Sequence, residues 1–99
     1  MAQNGSPLKD WSSDRVVAAV RQKGLSMQEL SKSFDLSETA LTRALHSASY
    51  VAHERRIAAF LGVQPDQIWP ERWARRRERA ELKAKAKQRV QEIRSEQAA

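Results

Sequence analysis

The first half of the chain places apolar residues at the spacing of short amphipathic helices, and three of the predicted helix starts share one pattern. In each, a serine follows an apolar residue and precedes another apolar residue by four positions. The serine hydroxyl can accept a hydrogen bond from a free N–H of the first turn, and the apolar pair fixes the entering chain. The pattern predicts helices that begin after Ser12, Ser26 and Ser37. Glu29 completes a capping box with Ser26.

Glycine and proline set most of the other helix limits. Gly24 and Gly62 are typical left-handed stops after the first and fourth helices. Pro65 suits the first position of a fifth helix, because its missing N–H has no helical partner there, and Pro70 ends that segment. The predicted helices are residues 13–23, 27 to about 34, about 38–46, 51–61 and a short one from 65.

Five short helices without a strand pattern predict an all-α orthogonal bundle. The second and third helices are separated by a very tight turn and follow another helix, which is the helix-turn-helix arrangement. Asp35 occupies the turn position where many such proteins have glycine, and Asp tolerates the left-handed conformation better than most residues. The predicted core is Trp11, Val17, Leu30, Phe34, Leu41, Leu45, Ile57, Leu61, Ile68 and Trp69.

The third predicted helix has one packing side and one free side. The free side carries Thr39, Thr42, Arg43 and His46. Short hydroxyls can approach base edges, and an arginine fork matches the acceptors of guanine or a phosphate. We therefore expect this side to read the major groove. The alternative is an ordinary solvated face of polar residues.

Composition narrows the class of protein. A chain of 99 residues holds one core plus tails, and the lack of cysteine excludes a disulfide framework and a zinc finger. No run of about 18 apolar residues occurs, so we expect neither secretion nor a membrane span. We expect a cytoplasmic location instead. The net charge of +6 favours a polyanion as partner.

The positive charge lies mainly at the carboxyl end. Residues 1–73 contain nine Lys and Arg against eight Asp and Glu, whereas residues 74–99 contain nine against four. We therefore predict a flexible arm at residues 1–9, a DNA-binding domain at residues 10–73 and a basic helical tail at residues 74–99. Three arginines open that tail: Arg75, Arg76 and Arg77. They form either a phosphate-binding arm or a solvated helix face, and the first reading is favoured.

A thin apolar stripe runs along the predicted tail helix. Leu82, Ala86, Val90 and Ile93 recur at spacings of four, four and three residues. The stripe would either pair two protomers or dock on the domain, and both alternatives stay open. A homodimer, at least on DNA, is therefore one of the expected partners.

Catalytic and metal chemistry find little support in the sequence. His46 and His53 are the only histidines, and with Glu54 they lack the tight spacing of a metal site. The chain has no glycine-rich phosphate loop and no paired buried carboxylates. We expect no enzyme activity, no cofactor and no small-molecule ligand.

Four short motifs along residues 10–73 occur together in one known family. They are Asp10-Trp11; Leu25-Ser26 with Leu30-Ser31 and Phe34; Thr39-x-Leu41-x-x-Ala44-Leu45; and Ile68-Trp69-Pro70-x-Arg72-Trp73. With them the chain resembles the Ner family of phage Mu-type repressors and the related bacterial Ner-like regulators. The resemblance implies a fold similar to the phage lambda repressor type of DNA-binding domain.

The resemblance also implies a transcriptional regulator, typically negative, whose third helix reads the major groove of double-stranded DNA. Under it, five residues face bases or adjacent phosphates, and Gln28 contacts phosphate from the start of the second helix. The five are Ser37, Glu38, Thr39, Thr42 and Arg43. The segment 47–53 departs from the aromatic-Pro-basic-Gly loop that often follows the third helix in the family.

Two other functions compete with duplex DNA binding. One is an RNA-binding module that takes its affinity from the basic tail, but RNA readers usually offer exposed aromatic residues, and here the aromatics fit the core. The other is a protein-interaction adaptor whose tail folds on a partner. Specific duplex binding by a tail-deleted protein would leave the adaptor hypothesis little to explain.

Overall fold

The computed structural model describes residues 9–98, which form six helices and no strand. This confirms the predicted all-α helix-turn-helix bundle of five helices with a basic helical extension, which is the sixth helix. The helices are α1 (Ser13–Gln22), α2 (Met27–Ser33), α3 (Ala40–His46), α4 (Val51–Leu61), α5 (Pro65–Ile68) and α6 (Pro70–Ala98). All but the last residue of the predicted arm 1–9 lies outside the described residues.

The first two helix starts are capped as predicted. Ser12 Oγ accepts from the Arg15 N–H at 3.1 Å. Ser26 Oγ accepts from the Glu29 N–H at 3.1 Å, while Glu29 Oε1 accepts from the Ser26 N–H at 2.9 Å. These bonds from Ser26 lower the pKa of Glu29, because they stabilise its carboxylate. The capping box is therefore complete at neutral pH and weakens only as the pH falls through the lowered pKa.

The turn between α2 and α3 depends on Asp35. This residue has φ 59°, the left-handed conformation predicted for it. The Leu36 N–H donates to the carbonyl of Ser31 at 3.0 Å, and the Asp35 N–H donates to that of Lys32 at 2.9 Å. These two bonds are those of a Schellman motif, which ends α2 without glycine.

The start of α3 differs from the prediction. α3 begins at Ala40, two residues later than expected, and the exposed Ser37 does not cap it. Instead, the Oγ of the fully buried Ser31 accepts from the Leu41 N–H at 3.2 Å. The prediction for Ser37 was wrong because it assumed a local cap, whereas the chain reversal at Asp35 brings a hydroxyl of α2 to the first turn of α3.

The core lies where α1 to α5 meet the start of α6. Most of the predicted core is buried, but Trp11, Val17 and Leu61 are only partly so, and Phe34 is 39% exposed. Phe34 follows the last residue of α2, where the chain reverses, so its spacing from Leu30 no longer places it inside. The buried apolar cluster is Val16, Val20, Met27, Leu30, Leu41, Ala44, Leu45, Ile57, Ala58, Ile68 and Trp69.

Helix α6 passes the predicted boundary near Trp73 without a break. Its first turn is capped by Asp10, whose Oδ1 accepts from the Glu71 N–H at 2.8 Å and the Arg72 N–H at 3.4 Å. Pro70 therefore opens this helix as well as ending α5. The extension is helical as predicted, but it continues an element that already packs on the bundle.

We predict that Ser31→Ala lowers the free energy of unfolding by about 1–2 kcal/mol, because it leaves the Leu41 N–H without its acceptor. Ser37→Ala is the matched control, and its effect should stay within about 0.5 kcal/mol. Urea denaturation of both variants provides the measurement. Equal losses would show that Ser31 is not the cap of α3.

Candidate nucleic-acid interface

The structure brings the predicted groove-reading residues to one surface. Arg43 and His46 are exposed on α3, Thr42 is half-buried beside them, and the opposite side of the helix is in the core. Thr39, at the start of α3, is exposed as well. Because no other described element covers this edge, its hydroxyl and guanidinium groups can contact a ligand directly.

Three further predicted residues are exposed on α2 or in the turn before α3. Ser37 and Glu38 are exposed in the turn before α3, and Gln28 is exposed in the first turn of α2. Glu38 Oε1 lies 3.1 Å from Lys32 Nζ. Both side chains are largely exposed, so this ion pair is weak and an approaching ligand can displace it at little cost.

Arg72 holds the carboxyl end of α3. Its Nη1 donates to the carbonyl of Ala44 and, at 3.4 Å, to that of Ser47. Its Nη2 donates to the carbonyl of Leu45 at 3.0 Å. The last carbonyls of a helix lack partners within it and carry partial negative charge, so a guanidinium both satisfies and stabilises them.

A buried carboxylate fixes that guanidinium in place. Glu54 is fully buried in α4, and its Oε2 lies 3.0 Å from Arg72 Nη1. Its Oε1 accepts from Trp73 Nε1 at 2.9 Å and Arg76 Nη1 at 2.7 Å. A buried carboxylate is tolerated only when charges and donors surround it, and here two guanidinium groups and an indole do so. This network was not predicted from the sequence, in which Glu54 was noted only as a neighbour of the histidines.

The three arginines that open the predicted tail have different environments. Arg76 directs its donors into the protein, toward Glu54 and the carbonyl of Ala48 at 2.6 Å. The hydrogen bond with Glu54 raises the pKa of Arg76, so its charge is retained. Arg75 is exposed, and Arg77 is 61% exposed with its Nη1 4.0 Å from Asp66 Oδ2. Arg76 thus serves the internal network, whereas Arg75 and Arg77 face solvent.

A basic cleft opens beside the loop that follows α3. It has a volume of about 250 Å³ and is lined by Ala48 and four arginines of α6: Arg72, Arg75, Arg76 and Arg79. Arg79 was not among the predicted site residues. Its position one turn after Arg75 is visible in the sequence, but its place in a cleft with Ala48 follows only from the packing of α6.

Other kinds of site have little basis in the described residues. The His53 ring lies 5.7 Å from that of Tyr50, and its Nδ1 is 2.9 Å from Arg56 Nη1. Burial and the Arg56 charge lower the pKa of His53. Among residues 9–98, no group of three or more His, Asp or Glu side chains is placed so that it could hold a metal ion. No helix within that range is long and apolar enough to cross a membrane.

The tight α2–α3 turn and the free edge of α3 define a helix-turn-helix DNA-binding domain, and comparison with known proteins agrees. Residues 10–86 match the sequence profile of the winged helix-turn-helix DNA-binding family. The chain belongs to this family, together with the Ner-like regulators of Mu-like phages. The resemblance predicted from the four motifs is thus confirmed. The described residues contain no strand, so they form no β-hairpin wing.

Three relatives illustrate the similarity. A negative regulator of transcription from Escherichia phage D108 is 38% identical over 65 residues, which are 66% of this chain and 88% of that protein. The Mu-like prophage FluMu DNA-binding protein Ner of Haemophilus influenzae is 34% identical over 77 residues, which are 78% of this chain and 85% of that protein. Sugar fermentation stimulation protein B of Escherichia coli K12 is 39% identical over 64 residues, or 65% and 68%.

We predict that Glu54→Gln lowers the free energy of unfolding by about 3–5 kcal/mol, because Arg72 and Arg76 lose their buried counterion. Glu78→Gln, an exposed change of the same kind on α6, should stay within about 0.5 kcal/mol. Thermal and urea denaturation would measure both. A loss below about 1 kcal/mol for Glu54→Gln would mean that solvent already screens the network.

Proposed function

We propose that the protein is a sequence-specific double-stranded DNA-binding regulator that represses transcription by occupying an operator with α3 in the major groove. The observation that carries this proposal is the uncovered edge of Thr39, Thr42 and Arg43 on a helix whose other side is in the core. Two relatives named as negative regulators of transcription, from Escherichia phages D108 and Mu, support the sign of regulation. The activity is binding alone, with no catalytic step, and it takes place in the cytoplasm with the DNA.

Each exposed group has a role suited to its chemistry. Arg43 and Thr42 read base edges, with the guanidinium on guanine acceptors or a neighbouring phosphate. Thr39 and the residues of the preceding turn meet bases or phosphates at the amino end of α3. Gln28 donates to a phosphate from α2, and His46 lies at the carboxyl end of the edge, within reach of the backbone. The residues that position the protein on the DNA backbone thus differ from those that distinguish one base sequence from another.

We predict that Arg43→Ala weakens binding to the preferred duplex by about 1–3 kcal/mol and relaxes specificity at one base pair. The preferred duplex is first selected from a random pool, and affinities are then measured at one salt concentration. Arg21→Ala, which removes an exposed arginine on α1, is the control for charge alone. Equal weakening of preferred and random duplexes by Arg43→Ala would contradict a base-reading role.

We further propose that two copies pair through α6 when bound to DNA. Leu82, Val90 and Ile93 are 67%, 52% and 36% exposed, so the stripe does not dock on its own bundle. The other alternative left open by the sequence, pairing of two protomers, is the one that could cover it. Three large apolar residues make a weak contact, which is sufficient when neighbouring half-sites raise the local concentration.

The charges beside the stripe favour parallel pairing. Helical spacing places Lys83, Lys87 and Arg94 along one edge, and places Glu78, Glu81, Glu92 and Glu96, interrupted by Lys85 and Arg89, along the other. In a parallel pair of helices the two unlike edges meet, whereas in an antiparallel pair each edge meets its own kind. Counted over these residues, one edge carries three positive charges and the other four negative and two positive charges, so the edges attract each other on balance in the parallel arrangement and repel in the antiparallel one.

We predict that Leu82→Gln with Ile93→Gln lowers affinity for a duplex with two half-sites about five-fold or more, while binding to one half-site is unchanged. The control pair, Ala84→Gln with Ser95→Gln, lies on the opposite side of α6 and should leave both affinities as they are. Gel-shift titrations on the two duplexes would measure this. Retained cooperativity in the stripe variant would exclude pairing through α6.

A further inference from the structure

We propose that the cleft between α6 and the loop after α3 binds a backbone phosphate of the DNA, with Arg75 and Arg79 as the residues that contact it. The inference rests on the proposed function and deepens it, because it assigns part of the phosphate contact to one site. It also replaces the run of three arginines with a set chosen by position. Arg79 joins the set, whereas Arg76 and Arg77 leave it.

The inner wall of the cleft is held rigidly. Arg72 and Arg76 are pinned to Glu54 by contacts of 2.7 to 3.0 Å, and Arg76 also donates to the carbonyl of Ala48. These two guanidinium groups cannot swing out without unpairing a buried carboxylate, which is costly. Their charges nevertheless remain at the cleft and add to its positive potential.

The outer wall is free to bind. Arg75 and Arg79 are exposed and lie one helical turn apart on the same side of α6. Among the ion pairs of residues 9–98, neither side chain takes part in one. Glu54 and Asp10 pair with the inner arginines, and the residues that line the cleft include four arginines and no carboxylate. This excess suits a phosphodiester, which can accept hydrogen bonds from both outer forks.

The cleft is next to the helix that is proposed to read bases. Its wall includes Ala48, two residues after the end of α3, and Arg72, which bonds the carbonyls of Ala44 and Leu45. A duplex seated on α3 therefore brings a backbone close to this end of the helix. Because the internal network fixes α6 relative to α3, the outer arginines are placed before DNA arrives, which reduces the ordering cost of binding.

Arg77 provides an internal comparison. It belongs to the same run and carries the same charge, but it points toward Asp66 of α5 rather than into the cleft. If simple charge density on α6 attracted DNA, Arg77 would matter as much as Arg75. If the cleft is a phosphate site, Arg75 contributes to DNA binding and Arg77 does not.

The test compares two double variants of the full chain with equal net charge. Arg75→Gln with Arg79→Gln removes the outer wall of the cleft, whereas Arg77→Gln with Arg21→Gln removes two exposed arginines outside the cleft, one on α6 and one on α1. Affinity for a random duplex and for the preferred duplex is measured across salt concentrations. Circular dichroism melting checks that the variants remain folded.

We expect the cleft variant to weaken binding to both duplexes alike and to reduce the slope of log affinity against log salt by about 0.9, the value for one phosphate. The control variant should retain the wild-type slope. Equal slope changes in the two variants, or none in either, would overturn the proposal. The proposed function would then still stand if Arg43→Ala relaxes specificity, whereas failure of the wild-type chain to prefer any duplex would overturn both.

Discussion

The buried carboxylate of Glu54 is the interaction on which the arrangement of this protein depends. Removing a carboxylate from water is expensive, so the fold must supply partners, and it does so with Arg72, Arg76 and the Trp73 indole from α6. The same two arginines donate to carbonyls at the end of α3 and in the loop that follows. One ionic cluster thus joins α3, α4 and α6.

The ionic cluster stabilises α3, which lacks sufficient contacts of its own to remain helical. A helix of seven residues is far too short to be stable alone, and α3 has no side-chain cap of its own. Its first turn is held by Ser31 and its last by Arg72, both from other helices. Because both supports act away from the exposed edge, Arg43 and its neighbours remain free while the helix that carries them is rigid. Rigid placement of a few polar groups is what base recognition requires.

Helix α6 both completes the packed domain and presents charged and apolar side chains to solvent. Its inward arginines complete the domain, and its outward arginines, with the exposed apolar stripe further along, face solvent. This division explains why the predicted boundary near Trp73 matches a change in composition but no break in structure. The packed part of the helix fixes the direction of the exposed part.

The sequence alone determined what local hydrogen bonds and helical spacing control: the caps at Ser12 and Ser26, the left-handed Asp35, the bounds of α4 and the free face of α3. These features involve residues within about five positions of each other, so the pattern contains both partners. Tertiary structure decided which serine caps α3, that Phe34 is exposed and that Arg76 faces inward. Ser31 lies 10 residues from Leu41, whose N–H it caps, and Glu54 lies 22 residues from Arg76, which it binds. Helical spacing says nothing of such distant partners, since their choice depends on how the chain reverses and packs.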